Sequence, residues 1–410
     1  MIMEYVRIRE LLADKKMVTI SPSIKIAKSD ICSEGLYPVV SQDESFILGY
    51  TNCDDKKLQT PPYIVFGDHT ESIKYIDFKF VQGADGIKIL KVNEECGNPR
   101  YYYYALLCFY NKTGFYERHF KLLRRTFIPD ITKDEQRRIA SILSAYDNLI
   151  ENNNKRIRLL EQMAENLYKE WFVRFRFPGH EKVNHVDSKI GKIPSSFTVT
   201  TMNEVFEDYI GGGWGNDEKT EEFPVSASVI RGADFPNVWR YDLSTCPRRY
   251  HKTSNYKSRQ LQDGDIVLEI SGGTSEQPVG RTILVTQDMI NRFEDGKVIC
   301  ASFCKLIRLK MNKISPYYFY YWMHYLYDTR IIDRYQLQST GIINFKFEAF
   351  LKKGILMLPP KELMLSFEKQ IVPLLKEINQ LAMQNENLTR QRDLLLPRLM
   401  SGKLEVNVKE

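Results

Sequence analysis

The chain has 410 residues, 43% hydrophobic and 27% charged, an ordinary globular composition with length for two or three folded units at about 150 residues each. That excludes a peptide, a collagen-like fibre and a wholly disordered chain, and no apolar run approaches the roughly 20 residues that would span a bilayer. Lysine and arginine outnumber aspartate and glutamate by 58 to 52, a formal +6 that permits a polyanion partner without demanding one.

In chain order, the opening MIMEYVRIRELLADKK sets charges where an export signal would be apolar, so a cytoplasmic chain is expected. The 7 cysteines form no CxxC pair and read as reduced, mostly buried thiols, and the 6 histidines show no zinc-ligand spacing, so no metal is expected. YIVF (63–66) and SIKYIDFKFV (72–81) have the composition of strands, with Gly83-Ala84-Asp85-Gly86 as a turn. Thr60-Pro61-Pro62-Tyr63 is superficially similar to the tetrapeptide of adenine methyltransferases. Threonine is a poor substitute for the Asp or Asn that accepts from the amine, and no glycine-rich cofactor loop lies upstream, so a rigid turn before a strand is the reading. Asn98-Pro99 opens RYYYYALLCFY as an N-cap followed by proline, which predicts a helix whose tyrosines pack on a sheet.

Beyond Pro129, Ile139, Leu143, Tyr146, Ile150, Asn153, Ile157, Leu160, Ala164, Leu167 and Trp171 recur by steps of four and three, the stripe of a coiled-coil helix. FPGHEKVNHVDSKIGKIPSSF (177–197) reads as a polar connector, and GGGWG (211–215) as a flexible loop. Asp265 and Glu269 read as a solvated strand pair, and His251 as a phosphate neighbour beside Arg248, Arg249 and Lys252. GDIVLEI (264–270) and GRTILV (280–285) are further strands, with Asp263-Gly264-Asp265 as a turn.

The later chain then repeats the earlier one. Ser315-Pro316 opens YYFYYWMHYLY, Phe350 and Pro359 stand 230 residues after Phe120 and Pro129, and a second seam follows through Ile371, Leu375, Ile378, Ala382, Asn385, Thr389, Arg392, Leu396 and Leu399. Thr389 and Arg392 weaken that seam, which the row Leu374, Leu381, Leu388 and Leu395 can take over, and Pro373 is expected to kink the helix or mark its start. Two matched copies in one chain favour intramolecular antiparallel pairing over association between molecules. Asn153 and Asn385 would then meet face to face and set the register.

No phosphate-binding GxxxxGK[ST] loop and no convergent catalytic constellation occurs, so no catalytic residue and no cofactor is assigned. Basic groups gather at Arg118, His119, Lys121, Arg124 and Arg125, and again at Arg240, Arg248, Arg249, His251, Lys252, Lys257 and Arg259, where they could neutralise phosphates.

Together, EQRRIASILSAYDNLIENNNKRIRLLEQMAENLYKEWF (135–172), RDLLLPRLMSGKLEV (392–406), IVFGDHTESIKYIDFKFVQGADGIKIL (64–90), GGGWG, RGADF (231–235) and GDIVLEISGGTSEQPVGR (264–281) resemble the specificity subunit of type I restriction-modification systems. The resemblance covers nearly the whole chain. It implies an α+β architecture: a target-recognition domain at 1–130, a long spacer helix at 131–176, a linker at 177–197, a second recognition domain at 198–358, a second helix at 359–402 and a tail at 403–410. It further implies a non-catalytic subunit whose two domains each read half of a split duplex-DNA target. The paired helices set the gap and dock methylation subunits, two copies being expected, and these in turn recruit restriction and translocation subunits. The expected DNA-contacting residues are Lys56, Lys57, His69, Thr70 and Arg118 in the first domain. In the second they are Trp214, Arg231, Arg240, Arg248, Arg249, Lys252, Thr274, Ser275, Gln277 and Arg281. A coiled-coil assembly protein with no DNA role, or a self-sufficient methyltransferase, are the competing expectations.

Overall fold

A computed structural model describes residues 4–20, 26–43, 45–54, 57–83, 86–115, 118–274, 277–339 and 342–404. The chain forms two compact units, one from Met1–Glu151 with Glu386–Glu410 and the other from Asn152–Asn385.

In the first unit, β1 (Tyr5–Arg7) and α1 (Ile8–Ala13) precede β2 (Met17–Ile20), β3 (Tyr37–Val40), β4 (Gly49–Thr51), β5 (Lys57–Leu58), β6 (Tyr63–Gly67), β7 (Ile73–Ile76), β8 (Phe80–Gln82) and β9 (Ile87–Val92). These form an antiparallel sheet β2-β9-β6-β7 and a second sheet β4-β3-β8-β5 in which β3 and β8 run parallel. β6 is buried along its length because its alternating side chains feed two cores. Ile64 and Phe66 face a core that includes tyrosines of α2 (Pro99–Phe109), while Tyr63 and Val65 pack with Val40 and Phe80. As its sequence predicts, α2 is capped by Asn98, whose side chain accepts from the Tyr101 N–H at 3.1 Å, and Tyr101, Tyr102 and Tyr104 are core residues. The run 72–81, expected as one strand, is two: Asp77–Lys79 interrupts it, and β7 and β8 belong to different sheets. Then come α3 (Phe120–Leu123), β10 (Phe127–Pro129), which pairs with β1, and α4 (Lys133–Tyr168).

In the second unit, the expected connector 177–197 holds a hairpin of β11 (His185–Ser188) and β12 (Gly191–Pro194). β13 (Thr198–Thr201), α5 (Met202–Val205), β14 (Phe206–Gly211), β15 (Val225–Ile230), α6 (Phe235–Trp239), β16 (Arg248–His251) and α7 (Thr253–Arg259) follow. Next are β17 (Ile266–Glu269), β18 (Ser271–Gly273), β19 (Thr282–Leu284), α8 (Gln287–Ile290), β20 (Val298–Cys300) and β21 (Cys304–Leu309). α9 (Pro316–Asp328), β22 (Gln336–Ser339), β23 (Ile342–Phe345), α10 (Phe347–Lys353), β24 (Ile355–Leu358) and α11 (Lys361–Met400) complete it. Sheet β14-β21-β17-β19 repeats the order β2-β9-β6-β7. Sheet β16-β15-β20 repeats β4-β3-β8, parallel pair included, and β13 pairs with β24 as β1 does with β10. The duplication visible at the ends of the two halves therefore extends through their sheets.

Each long helix contributes one part to each unit, and in each unit the pairing is antiparallel. In the second, Tyr168 meets Phe367, Arg156 donates to Glu377 at 2.6 Å, and Ile157 packs with Ile378, Leu381 and Ala382. In the first, Asp147 accepts from Arg392 at 2.6 Å, and Ile139 and Leu143 share a core with Leu399 and Met400. Arg392, a weak point of the apolar seam, is thus matched by a carboxylate that Tyr104 also engages. Pro373 neither starts nor breaks α11: it stands on the exposed side, where the carbonyl left without an N–H partner is open to water. α4 ends in a π-helical turn, Lys169–Val173, that carries Trp171 and Phe172 into the core. The cysteines are less buried than expected: Cys246, Cys300 and Cys304 are buried, but Cys32 and Cys96 are exposed.

Candidate nucleic-acid interface

In the first unit the loops after β3, β6 and β8 gather at one edge. Ser72 Oγ donates to the Gln42 carbonyl at 2.8 Å, as does the Thr70 hydroxyl, and the Asp68 N–H donates to the Gly86 carbonyl at 2.6 Å. Lys74 is buried beneath them, its ammonium giving hydrogen bonds to the carbonyls of Ser41 at 2.9 Å and Ser45 at 2.5 Å. Burial lowers its pKa, with the charge of Asp43 opposing.

The β6–β7 turn holds a further segment in place. Glu71, in the left-handed region at φ 54°, accepts from the N–H groups of Thr113 at 2.9 Å and Gly114 at 2.9 Å and from the Tyr110 hydroxyl at 2.7 Å. Burial pushes this carboxyl up, but those donors and the neighbouring His119 outweigh it and hold the pKa down at about 2. Asp68 accepts from the Phe120 N–H at 2.7 Å. The clamped segment presents Arg118 and then Lys121, Arg124 and Arg125, all exposed and without a carboxylate partner among the described residues. His119, grouped with them in the sequence, is fully buried against Glu71 and adds no surface charge. His69 is half-buried and Thr70 exposed on the same turn. Lys57 lies elsewhere, on edge strand β5, its ammonium held by Asp54 and by the Tyr37 hydroxyl at 3.0 Å. Lys56 and Ser275 lie outside the described residues.

The second unit builds the equivalent edge with buried ions. Glu269, expected on a solvated strand, is buried at the end of β17 and takes Nε of Arg281 at 2.8 Å and its Nη2 at 2.5 Å. Burial raises the carboxyl of Glu269, with Arg281 opposing. Arg281, 4% exposed, also donates to the Gly232 carbonyl at 2.8 Å, so this expected DNA contact ties two loops together. Asp265 is likewise buried, 3.2 Å from Arg308. Both acids lie in the sheet core because β17 runs between β21 and β19. Arg231 donates to Asp234 at 2.7 Å and to the Thr245 carbonyl at 2.9 Å. Thr274 and Gln277 are exposed on the loop after β18, where the Gln277 N–H donates to Thr274 Oγ1 at 3.1 Å.

The basic residues of β16 are largely neutralised within the chain. Arg248 pairs with Glu294 at 3.1 Å, Arg249 with Asp217, and Lys252 with Glu222. Arg249 also lies 4.4 Å over the ring of Trp214, which remains 39% exposed. His251, read as a phosphate neighbour, is buried, its pKa lowered by burial and by Arg249. The glycines before Trp214 are not loose: the N–H groups of Gly212 and Gly213 donate to the carbonyls of Cys304 at 3.0 Å and Cys300 at 2.9 Å. Arg240, past the end of α6, is exposed with no side-chain partner among the described residues.

The sequence reading missed the three-stranded ribbon β18-β23-β22, which carries Gln336, Gln338 and Asn344 beside the Thr274 loop. Its signal was available in LQSTGIINF (337–345), a turn step between two short β-branched or amide-bearing runs. In the helix seam, Asn153 donates through Nδ2 to Oδ1 of Asn385 at 3.0 Å, and Asn385 donates in turn to Asn154 at 2.9 Å.

Residues 15–162 match the family model described as Type I restriction modification DNA specificity domain. The chain is 24% identical over 294 residues to the MjaIX specificity subunit of Methanocaldococcus jannaschii, an alignment covering 69% of this chain and 62% of that one. It is also 24% identical over 326 residues to the HindI specificity subunit of Haemophilus influenzae, covering 68% of each. It therefore spans less than two thirds of the first of these relatives. In fold it is similar to the crystal structure of a Type-I restriction-modification system S subunit from M. genitalium, with a TM-score of 0.55 at 15% identity, covering 97% of this chain and 96% of that one. No helix among the described residues is long and apolar enough to cross a membrane.

Proposed function

We infer, for a chain that belongs with the type I restriction-modification specificity subunits, that it is the DNA-reading and non-catalytic member of such a complex, acting in the cytoplasm. The observation that supports this reading is the repeated sheet order, by which one chain carries two sheet edges of the same construction. Each edge reads one half of a split duplex target. The two halves differ, because His69 and Thr70 stand at one edge and Thr274 and Gln277 at the other.

Phosphate contacts come from cations without a carboxylate partner among the described residues: Arg118, Lys121, Arg124 and Arg125 in the first unit and Arg240 in the second. Trp214 offers an apolar ring face, and the amides of Gln277 and Gln338 can form paired hydrogen bonds to adenine edges. Lys57, Arg231, Arg248, Arg249, Lys252 and Arg281 hold the loops rather than the DNA. The antiparallel helices fix the unread gap and dock two methylation subunits, which carry the restriction and translocation subunits. The chain needs no cofactor for this task.

The test is selection of bound fragments from random duplex DNA at stated salt, by the full chain with and without its cognate methylation subunits. Enrichment of two unlike half-sites at a constant gap is the expected result. No enriched sequence in either condition would leave a coiled-coil assembly role, and methyl transfer by the chain alone would establish an enzyme.

A further inference from the structure

Within the second unit, a cavity of about 370 Å³ opens between the long helices and the recognition domain, the size of a small-ligand pocket. Aromatic side chains form much of its wall: Trp239, Tyr320, Tyr321 and His324, with the Tyr320 and His324 rings 4.2 Å apart. Glu161 and Glu165 of α4 also line it. Glu165 has Lys169 at 3.6 Å, whereas Glu161 is half-buried with no cation within ion-pair distance among the described residues. Thr282 lines it as well, 2% exposed, its hydroxyl lacking any hydrogen-bond partner among the described residues.

The cations of the lining do not answer these groups. Arg281 is bound to Glu269, Arg292 donates to the Tyr241 carbonyl at 2.6 Å and to Asn379 at 3.3 Å, and Lys376 is exposed on α11. Asp288 and Asp328 add two more carboxyl groups to the lining. Burial, and then the charge of Glu165, push the Glu161 carboxyl up to about 7, with the charge of Arg158 opposing but not prevailing. Burial lowers His324 to about 4, so it is neutral at physiological pH and adds no positive charge to compete.

We propose that this cavity binds a guanidinium-bearing ligand, with its N–H donors on Glu161 and Thr282 and its flat face against Tyr320 and Trp239. Open acceptors beside aromatic faces suit a planar, weakly hydrated cation with several donors better than a compact, strongly hydrated ammonium. The guanidinium could belong to a free small molecule or to an arginine of a docked protein. The proposal does not depend on the DNA-reading function.

Calorimetric titration of the full chain with agmatine, N-acetylargininamide and the neutral isostere N-acetylcitrullinamide tests it. Saturable binding of an arginine compound is expected, with the citrulline analogue at least about tenfold weaker. Preference for agmatine points to a free ligand, and preference for the argininamide to a protein side chain. Glu161→Gln should weaken binding by about tenfold, and Thr282→Val by a smaller factor. Equal affinity for the arginine and citrulline compounds, or no binding at millimolar concentration, overturns the proposal without needing either variant to fold. Unchanged affinity in a folded Glu161→Gln chain overturns it too.

Discussion

Glu71, in the β6–β7 turn, and Glu269, the last residue of β17, each tie loops together, but with different partners. Glu71 is held by backbone N–H and hydroxyl donors with His119 beside it, so Glu71→Gln should cost about 1–3 kcal/mol of stability near neutral pH. Its carboxyl titrates near 2 when folded and near 4.5 as an unperturbed acid. The native chain therefore binds fewer protons in that window, and the carboxylate's contribution is complete above about 4.5 and lost as the pH falls towards 2. Urea unfolding of chain and variant should converge over that interval, and a constant difference would contradict the assignment. Glu269 instead depends on one buried cation. Arg281→Ala strands it and should cost about 3–5 kcal/mol in the same assay. Arg118→Ala removes no side-chain partner among the described residues and should leave stability within about 0.5 kcal/mol. It should weaken binding to all DNA sequences alike and lower the salt slope by roughly one unit. A relaxed preference at one base would instead make Arg118 a base reader.

At the scale of elements, the long helices are specified by their seams and corrected by polar pairs. Asn153 and Asn385 bond across the seam of the second unit, and Asn153 is only 6% exposed. Asn385→Ala leaves the Asn153 amide without that partner and should destabilise by about 1–3 kcal/mol. Leucine at both positions should be neutral or stabilising in thermal unfolding while loosening the register, since a buried amide pair trades stability for specificity. A double-mutant cycle showing no coupling would remove the register role. The helices themselves were legible because a seven-residue repeat is a local property of the chain. The ribbon β18-β23-β22 was harder to read, since its strands are short and β18 pairs with a strand far along the chain, Ser271 standing opposite Asn344.

For the whole molecule, the proposed spacing role makes a geometric prediction. Adding seven residues to both α4 and α11 lengthens each by about 10.5 Å, which is roughly three base pairs. Selection from random DNA should return the same two half-sites with a gap longer by about three, and an unchanged gap would remove the spacing role. The sequence by itself determined the duplication, the capped tyrosine helices, the two long helices and their antiparallel seam, because each depends on residue types at fixed short spacing or on similarity along the chain. Only the tertiary structure decided that Glu269, Asp265, His251 and Arg281 are interior while Arg118 and Arg240 remain open, and that the cavity beside Glu161 exists at all. Whether a charged side chain loses its water depends on what packs over it, and here the covering residues come from strands and helices far away in sequence.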